Sequence, residues 1–173
     1  MKKIFLIILA GVFLFILSFF INGIVKKVKV HSSTEEQISV LPRFSLPSTH
    51  GIIINTSDIK EGPVLIVRFH PECDHCRYEL TEIFRSIIPE KNIKVLLISN
   101  ADRESIKSFM SGFETGEKQN IITLIDSACV LCDIFSKNVI PSNYIYDEDL
   151  KLVKSLYGEY KIETILKYLD IGE

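Results

Sequence analysis

The run Val64-Leu65-Ile66-Val67-Arg68-Phe69, followed four positions later by Cys73-Asp74-His75-Cys76, constrains this chain more than any other segment. A short apolar run punctuated by Gly62-Pro63 has the pattern of a central strand buried on both faces. From Cys76 onward, Leu80, Ile83, Phe84, Ile87 and Ile88 recur at spacings of three and four, which predicts an amphipathic helix ended by Pro89. The two thiols therefore sit where a strand becomes a helix. There the first sulfur meets unpaired backbone N–H groups and the positive end of the helix dipole, both of which favour a thiolate. The second sulfur lies about one turn further on, near enough to close a disulfide with the first. A pair so placed suits thiol–disulfide exchange, with Cys73 as the attacking thiolate and Cys76 as the resolving thiol.

The rest of the chain supplies a sheet and helices around this unit. Leu41–Pro47 and Gly51–Ile54 read as two short strands about a turn at Ser48–Gly51. Ile93–Ile98 and Ile121–Ile125 are two further core strands. Between them Asp102 caps a helix whose inner face is Ile106, Phe109, Met110 and Phe113. Asp126 or Ser127 caps a short helix with Ala128, Leu131, Cys132 and Phe135 inward. Ser142–Asp147 and Leu150–Leu156 form a strand pair, and Ile162, Ile165, Leu166 and Leu169 line a last helix. The core order β-α-β-α-β-α-β-β-α predicts an α/β domain, a mixed sheet flanked by helices on both faces.

The 173 residues leave room for one domain of ordinary size beyond an N-terminal segment of about 40. With 47% hydrophobic residues and 11 Phe, that domain needs no cysteine staples to hold its core. Lys2, Lys3, Lys26, Lys27 and Lys29 are five of the 20 basic residues, and no acid precedes Glu35. The remainder is acidic and has no basic patch, which argues against a nucleic-acid partner. Residues 4–25 carry no charge, and as a helix they would extend about 33 Å, enough to span a bilayer core. The stretch exceeds the roughly 7–15 residues of a secretory signal's apolar region, and Ile21-Asn22-Gly23-Ile24 offers no good cleavage site. We therefore expect residues 1–25 to be a retained transmembrane anchor, 26–40 a polar tether and 41–173 the folded domain. Lysines flank both ends of the span, so charge alone leaves its orientation open. A redox-active thiol pair argues for the extracytoplasmic side.

The order of elements, with Cys-x-x-Cys at the end of the first core strand, resembles the thioredoxin fold from about Val40 to Leu169. It is most similar to the membrane-anchored, TlpA/ResA-like branch of thiol–disulfide oxidoreductases, relatives of the redoxins. Leu41-Pro42-Arg43-Phe44-Ser45-Leu46 resembles that branch's opening Leu-Pro-x-Phe-x-Leu hairpin. Ile140-Pro141-Ser142-Asn143-Tyr144-Ile145-Tyr146-Asp147 resembles its Pro-Thr-x-Phe-x-x-Asp strand, which implies that Pro141 is a cis-proline facing the active site. Glu79 matches the acid of the branch's Cys-x-x-Cys-x-x-Glu pattern. The resemblance implies an extracytoplasmic domain that reduces or exchanges disulfides in client proteins, supplied by a membrane or extracytoplasmic thiol donor, without cofactor or metal. Three positions depart from the pattern. Glu72 replaces the usual Trp, Val67 replaces a buried Asp or Asn, and Arg68 stands where an apolar residue is usual.

Other side chains modulate the expected chemistry. His75 brings partial positive character that favours the thiolate, and Asp74 opposes it. If Glu79 is half-buried its pKa rises and it can move the proton of the resolving thiol; as a surface acid it needs no function. If Pro141 is cis, the Ile140 carbonyl lies where a substrate chain can pair beside Cys73. Cys129-Val130-Leu131-Cys132 admits three readings: Cys132 as a small buried hydrophobe, a second redox pair, or half of a four-cysteine zinc site. The first fits the expected apolar face best. The zinc reading suffers from the 52 residues of 77–128, against about 15–20 in common zinc patterns. His31, His50 and His70 show no metal-ligand spacing. Two rival functions remain. A thiol peroxidase wants Pro-x-x-x-Thr/Ser-x-x-Cys, where this chain has Ile66 and His70 at the Pro and Thr/Ser positions. A copper carrier on Cys73 and Cys76 resembles relatives that use a three-residue spacer, against two here.

Overall fold

Strand β3 (Val64–Arg68) has all five residues buried, so it requires cover on both faces, and the rest of the domain supplies it. A computed structural model describes residues 15–19, 36–87, 92–113, 120–135 and 137–169. The chain divides into two compact units, 1–37 and 38–173. In the first, residues 15–19 are helical, and the rest of the expected 4–25 anchor lies outside the described residues. Among the described residues no helix is long and apolar enough to cross a membrane.

In the second unit, β1 (Ser45–Pro47) and β2 (Ile53–Asn55) form an antiparallel hairpin. Its turn contains Gly51 at φ +87°, a left-handed conformation that glycine adopts without a Cβ penalty. The main sheet joins β3, β4 (Lys94–Ser99), β5 (Ile121–Ile125), β6 (Ser142–Tyr146) and β7 (Leu152–Tyr157) in the order β5-β4-β3-β6-β7. The β3–β4 and β4–β5 pairs are parallel, and β3–β6 and β6–β7 are antiparallel. Helices α1 (Asp74–Ser86), α2 (Arg103–Met110), α3 (Val130–Phe135) and α4 (Ile162–Tyr168) cover it.

Alternation along the strands separates two cores. Leu65, Val67, Val95, Leu97 and Ile145 pack against Leu80 and Ile83 of α1, Ile106 and Phe109 of α2, and Ile165 of α4. On the opposite face Val64, Ile66, Leu96, Ile98, Tyr144 and Tyr146 meet Leu131 and Phe135 of α3 and Phe44 and Leu46 near the hairpin. Each such fully buried aliphatic side chain stabilises the fold by about 1.5–3 kcal/mol relative to exposure.

The expected element order is the one observed, with three local differences. Packed chain begins at Ile38, ahead of the boundary expected at 41, because Ile38 is buried and Val40 bridges to Lys151. Helix α1 ends at Ser86 with Ile87 as its C-cap, before Pro89, which lies outside the described residues. Ala128 is exposed and Cys132 only half-buried, since α3 starts at Val130 and Ala128 belongs to the preceding turn.

Both expected caps are present. Asp102 accepts from the Ser105 amide at 2.9 Å. Asp126, itself buried, accepts from the amides of Val130 at 2.8 Å and Leu131 at 2.9 Å. Removing the Asp126 carboxylate leaves two amides at the start of α3 without that acceptor. Asp126→Ala should therefore lower stability by about 1–2 kcal/mol, read from the denaturant midpoint at constant slope.

Candidate redox site at the end of the central strand

Parallel β3 ends at Arg68, and the segment His70–Glu72 carries the chain into α1, whose N-cap is Cys73. Cys73 Sγ accepts from the backbone N–H of Cys76 at 3.1 Å. The helix start thus aims a donor at the sulfur that would carry the charge, which favours its thiolate. The two residues are disulfide-bonded, with Cα atoms 5.2 Å apart. Cys73 is half-buried and accessible, whereas Cys76 faces the core and is fully buried. An external sulfur can therefore reach Cys73 but not Cys76, the asymmetry that exchange through a mixed disulfide needs.

Pro141 follows a cis peptide bond from Ile140 and directly precedes β6. Antiparallel pairing of Ser142 with Arg68 puts it beside the end of β3, next to the chain leading to Cys73. Its carbonyl accepts from the Gly158 amide at 2.8 Å, which ties it to the loop between β7 and α4.

Glu79 is 1% exposed, on the inner face of α1 one turn beyond Cys76. One carboxylate oxygen accepts from Asn143 Nδ2 and the other from the Tyr160 amide, each at 2.8 Å. Burial pushes its pKa above the usual carboxylate range. The two hydrogen bonds oppose that rise, and the nearby Glu159 charge adds to it. Sequence reasoning missed Asn143, although a lone amide in an otherwise apolar strand was a signal. It stands directly opposite Val67 in the β3–β6 ladder. A buried polar group on this face is thus supplied from the neighbouring strand, where Val67 itself brings none.

His75 lies in the first turn of α1, between the two cysteines. Its side chain is 76% exposed, and its Nδ1 faces the Glu159 carboxylate across the site. A protonated His75 is thus paired with a carboxylate, which weakens any charge it offers the sulfurs. Asp74 is exposed. Beside the loop, Arg77 lays its guanidinium over the Phe109 ring at 4.5 Å and helps line an open cleft between α1 and α2.

The second cysteine pair does not contain the buried free thiol expected at Cys132. Cys129 and Cys132 are disulfide-bonded, with Cα atoms 5.1 Å apart, and both are half-buried. The four sulfurs thus close as two separate pairs. Among the described residues no group of three or more His, Cys, Asp or Glu side chains could hold a metal ion.

A mixed five-stranded sheet with a Cys-x-x-Cys pair opening the helix after its central strand defines a thioredoxin-like disulfide oxidoreductase fold. The AhpC/TSA family profile matches residues 39–155, and the chain belongs to that family. No curated protein matches it in sequence. Among solved structures it is similar to a secreted Mycobacterium tuberculosis disulfide oxidoreductase homologous to E. coli DsbE. That likeness has a TM-score of 0.66 and 15% identity, over 79% of this chain and 98% of the other. The pneumococcal exposed lipoprotein thioredoxin Etrx1 of Streptococcus pneumoniae gives 0.62 and 22%, over 74% and 98%. The peroxidoxin BcpB of Mycobacterium tuberculosis gives 0.61 and 15%, over 76% and 94%.

The raised pKa of Glu79 has a signature in stability. Above pH 4.5, its ordinary value, the unfolded chain releases this proton while the folded chain keeps it. Stability from this group is thus complete in acid and is lost as pH rises through the folded pKa. Glu79→Gln removes that term. In denaturant titrations from mildly acidic to neutral pH, the variant should gain on the parent as pH rises; a constant difference would show that Glu79 titrates normally.

Proposed function

We propose that this protein is an extracytoplasmic, membrane-anchored thiol–disulfide oxidoreductase that reduces or exchanges disulfides in client proteins. The observation that carries this reading is the asymmetry of the pair: an accessible Cys73 sulfur receiving a helix-start N–H, bonded to a wholly buried Cys76. The Cys73 thiolate attacks a client disulfide, one client sulfur leaves, and Cys76 then attacks Cys73 Sγ to release the reduced client. The chain is left with the Cys73–Cys76 disulfide, which a membrane or extracytoplasmic thiol donor re-reduces. Glu79 holds or accepts the proton of Cys76 during the second attack, and the Ile140–Pro141 segment receives the client backbone beside Cys73. The secreted and exposed status of the two similar disulfide-exchange proteins, together with the uncharged span 4–25, supports the compartment. The TlpA/ResA-like resemblance supports the direction toward client reduction.

Thiol peroxidase activity is the second reading, favoured by AhpC/TSA membership and by the similarity to a peroxidoxin. Ile66 and His70, where that chemistry wants Pro and Thr/Ser, count against it.

Cys76→Ser should trap clients as mixed disulfides at Cys73, and Cys73→Ser should trap none; trapping by Cys73→Ser alone would reverse the roles. Thiol-dependent peroxide consumption by the parent, lost in Cys73→Ser and unmatched by disulfide reduction, would favour the peroxidase instead. For the compartment, the full chain should sediment with membranes, and its reduced Cys73 should react with a membrane-impermeant thiol reagent on intact cells. Labelling only after lysis would place the domain inside.

A further inference from the structure

Arg68 ends the central strand and, two residues on from Ile66, shares its face, opposite the Cys73–Cys76 helix; it is only 7% exposed. Its Nη1 donates to the Lys137 carbonyl at 2.9 Å, and its Nη2 approaches Cys132 Sγ at 3.5 Å. Among the described residues no carboxylate pairs with it. The Tyr144 hydroxyl also interacts with the guanidinium but supplies no anion, because burial pushes the Tyr144 pKa far up and keeps it neutral. An arginine keeps its charge when buried, so it needs an anion or a full set of acceptors. One carbonyl, one neutral phenol and one disulfide sulfur, a weak acceptor, bring no negative charge and fall short of that. A thiolate at Cys132 would meet the need at the same position.

We propose that Cys129 and Cys132 are a second redox-active thiol–disulfide site, opened by a dithiol, in which Arg68 holds the Cys132 thiolate released on reduction. The asymmetry sets the order of steps. A thiolate of the dithiol attacks Cys129 Sγ, the Cys129–Cys132 bond breaks, and Cys132 leaves as the thiolate paired with Arg68. The second thiol of the reductant then attacks its own sulfur in the mixed disulfide and releases Cys129, which takes up a proton. Two electrons pass to the protein and the dithiol becomes a cyclic disulfide. Access suits this order. Cys129 is half-buried in a left-handed turn at φ 54°, next to exposed Val130, and its sulfur faces the neutral Asn100 amide at 4.0 Å. Arg68 thus favours Cys132 over Cys129 as the leaving sulfur, and it favours the reduced state of the pair.

The site can be tested without the first one, in the full chain carrying Cys73→Ser and Cys76→Ser. This protein is equilibrated with mixtures of reduced and oxidised dithiothreitol, quenched in acid, alkylated and read by mass. The pair should pass reversibly between disulfide and dithiol while the protein stays folded. Adding Arg68→Met should move the equilibrium about tenfold toward the disulfide, about 30 mV for a two-electron couple, and Arg68→Lys should restore most of it. A pair that opens only on unfolding, or an equilibrium unmoved by Arg68→Met, would overturn the proposal. Should Arg68→Met not fold, the ultraviolet absorbance of thiolate at neutral pH decides with Arg68 in place. In the reduced protein it should survive Cys129→Ser and vanish with Cys132→Ser; its absence, or the reverse dependence, refutes the assignment.

Discussion

Burial of β3 on both faces is the constraint from which the rest of the domain follows. Successive side chains of a strand point to opposite sides, so Val64 and Ile66 need one helical layer while Leu65 and Val67 need another. Because β4 runs parallel to β3, the connection between them must cross over one face, and α1 is that crossover. Its first turn therefore lies at the carboxyl end of the central strand, with Cys73 at the junction. Moving the register of β3 by one residue would exchange its two faces and bring Arg68 under the wrong helices.

The same alternation separates the two sulfur pairs. The chain after Arg68 leads to Cys73 and to α1 on one face, while the Arg68 side chain reaches Cys132 in α3 on the other. Each pair sits beside groups that suit a thiolate, but by different means. Cys73 draws on the backbone N–H of a helix start, and Cys132 on a buried guanidinium.

Glu79 is a buried acid that, among the described residues, has no ion pair. Desolvation raises its pKa, and donors from Asn143 and Tyr160 hold the carboxylate against that rise. The Asn143 Oδ1 is buried without a partner in this arrangement. Turning the amide over would let that oxygen accept a hydrogen bond from the O–H of neutral Glu79, so either protonation state of the acid can be matched. Loop residues 159–160 tie this acid to the surface, since Tyr160 donates to Glu79 while Glu159 faces His75.

The order of elements, the two capping aspartates and the position of the Cys-x-x-Cys pair were legible in the sequence, because hydrophobic periodicity and caps are local along the chain. The sequence marked Glu79 and Pro141 through a resemblance and singled out Val67 and Arg68 as departures from it. It could not show that Asn143 faces Val67 and meets Glu79, that His75 turns to Glu159, or that Arg68 reaches Cys132. Those contacts join residues 64 to 84 positions apart, and strand pairing and helix docking alone bring them together. Sequence pattern also placed Ala128 inward and favoured a buried free thiol at Cys132 over a second disulfide pair. Where a turn gives way to a six-residue helix, periodicity has too few positions to set the phase, and the packing of Leu131 and Phe135 decided it.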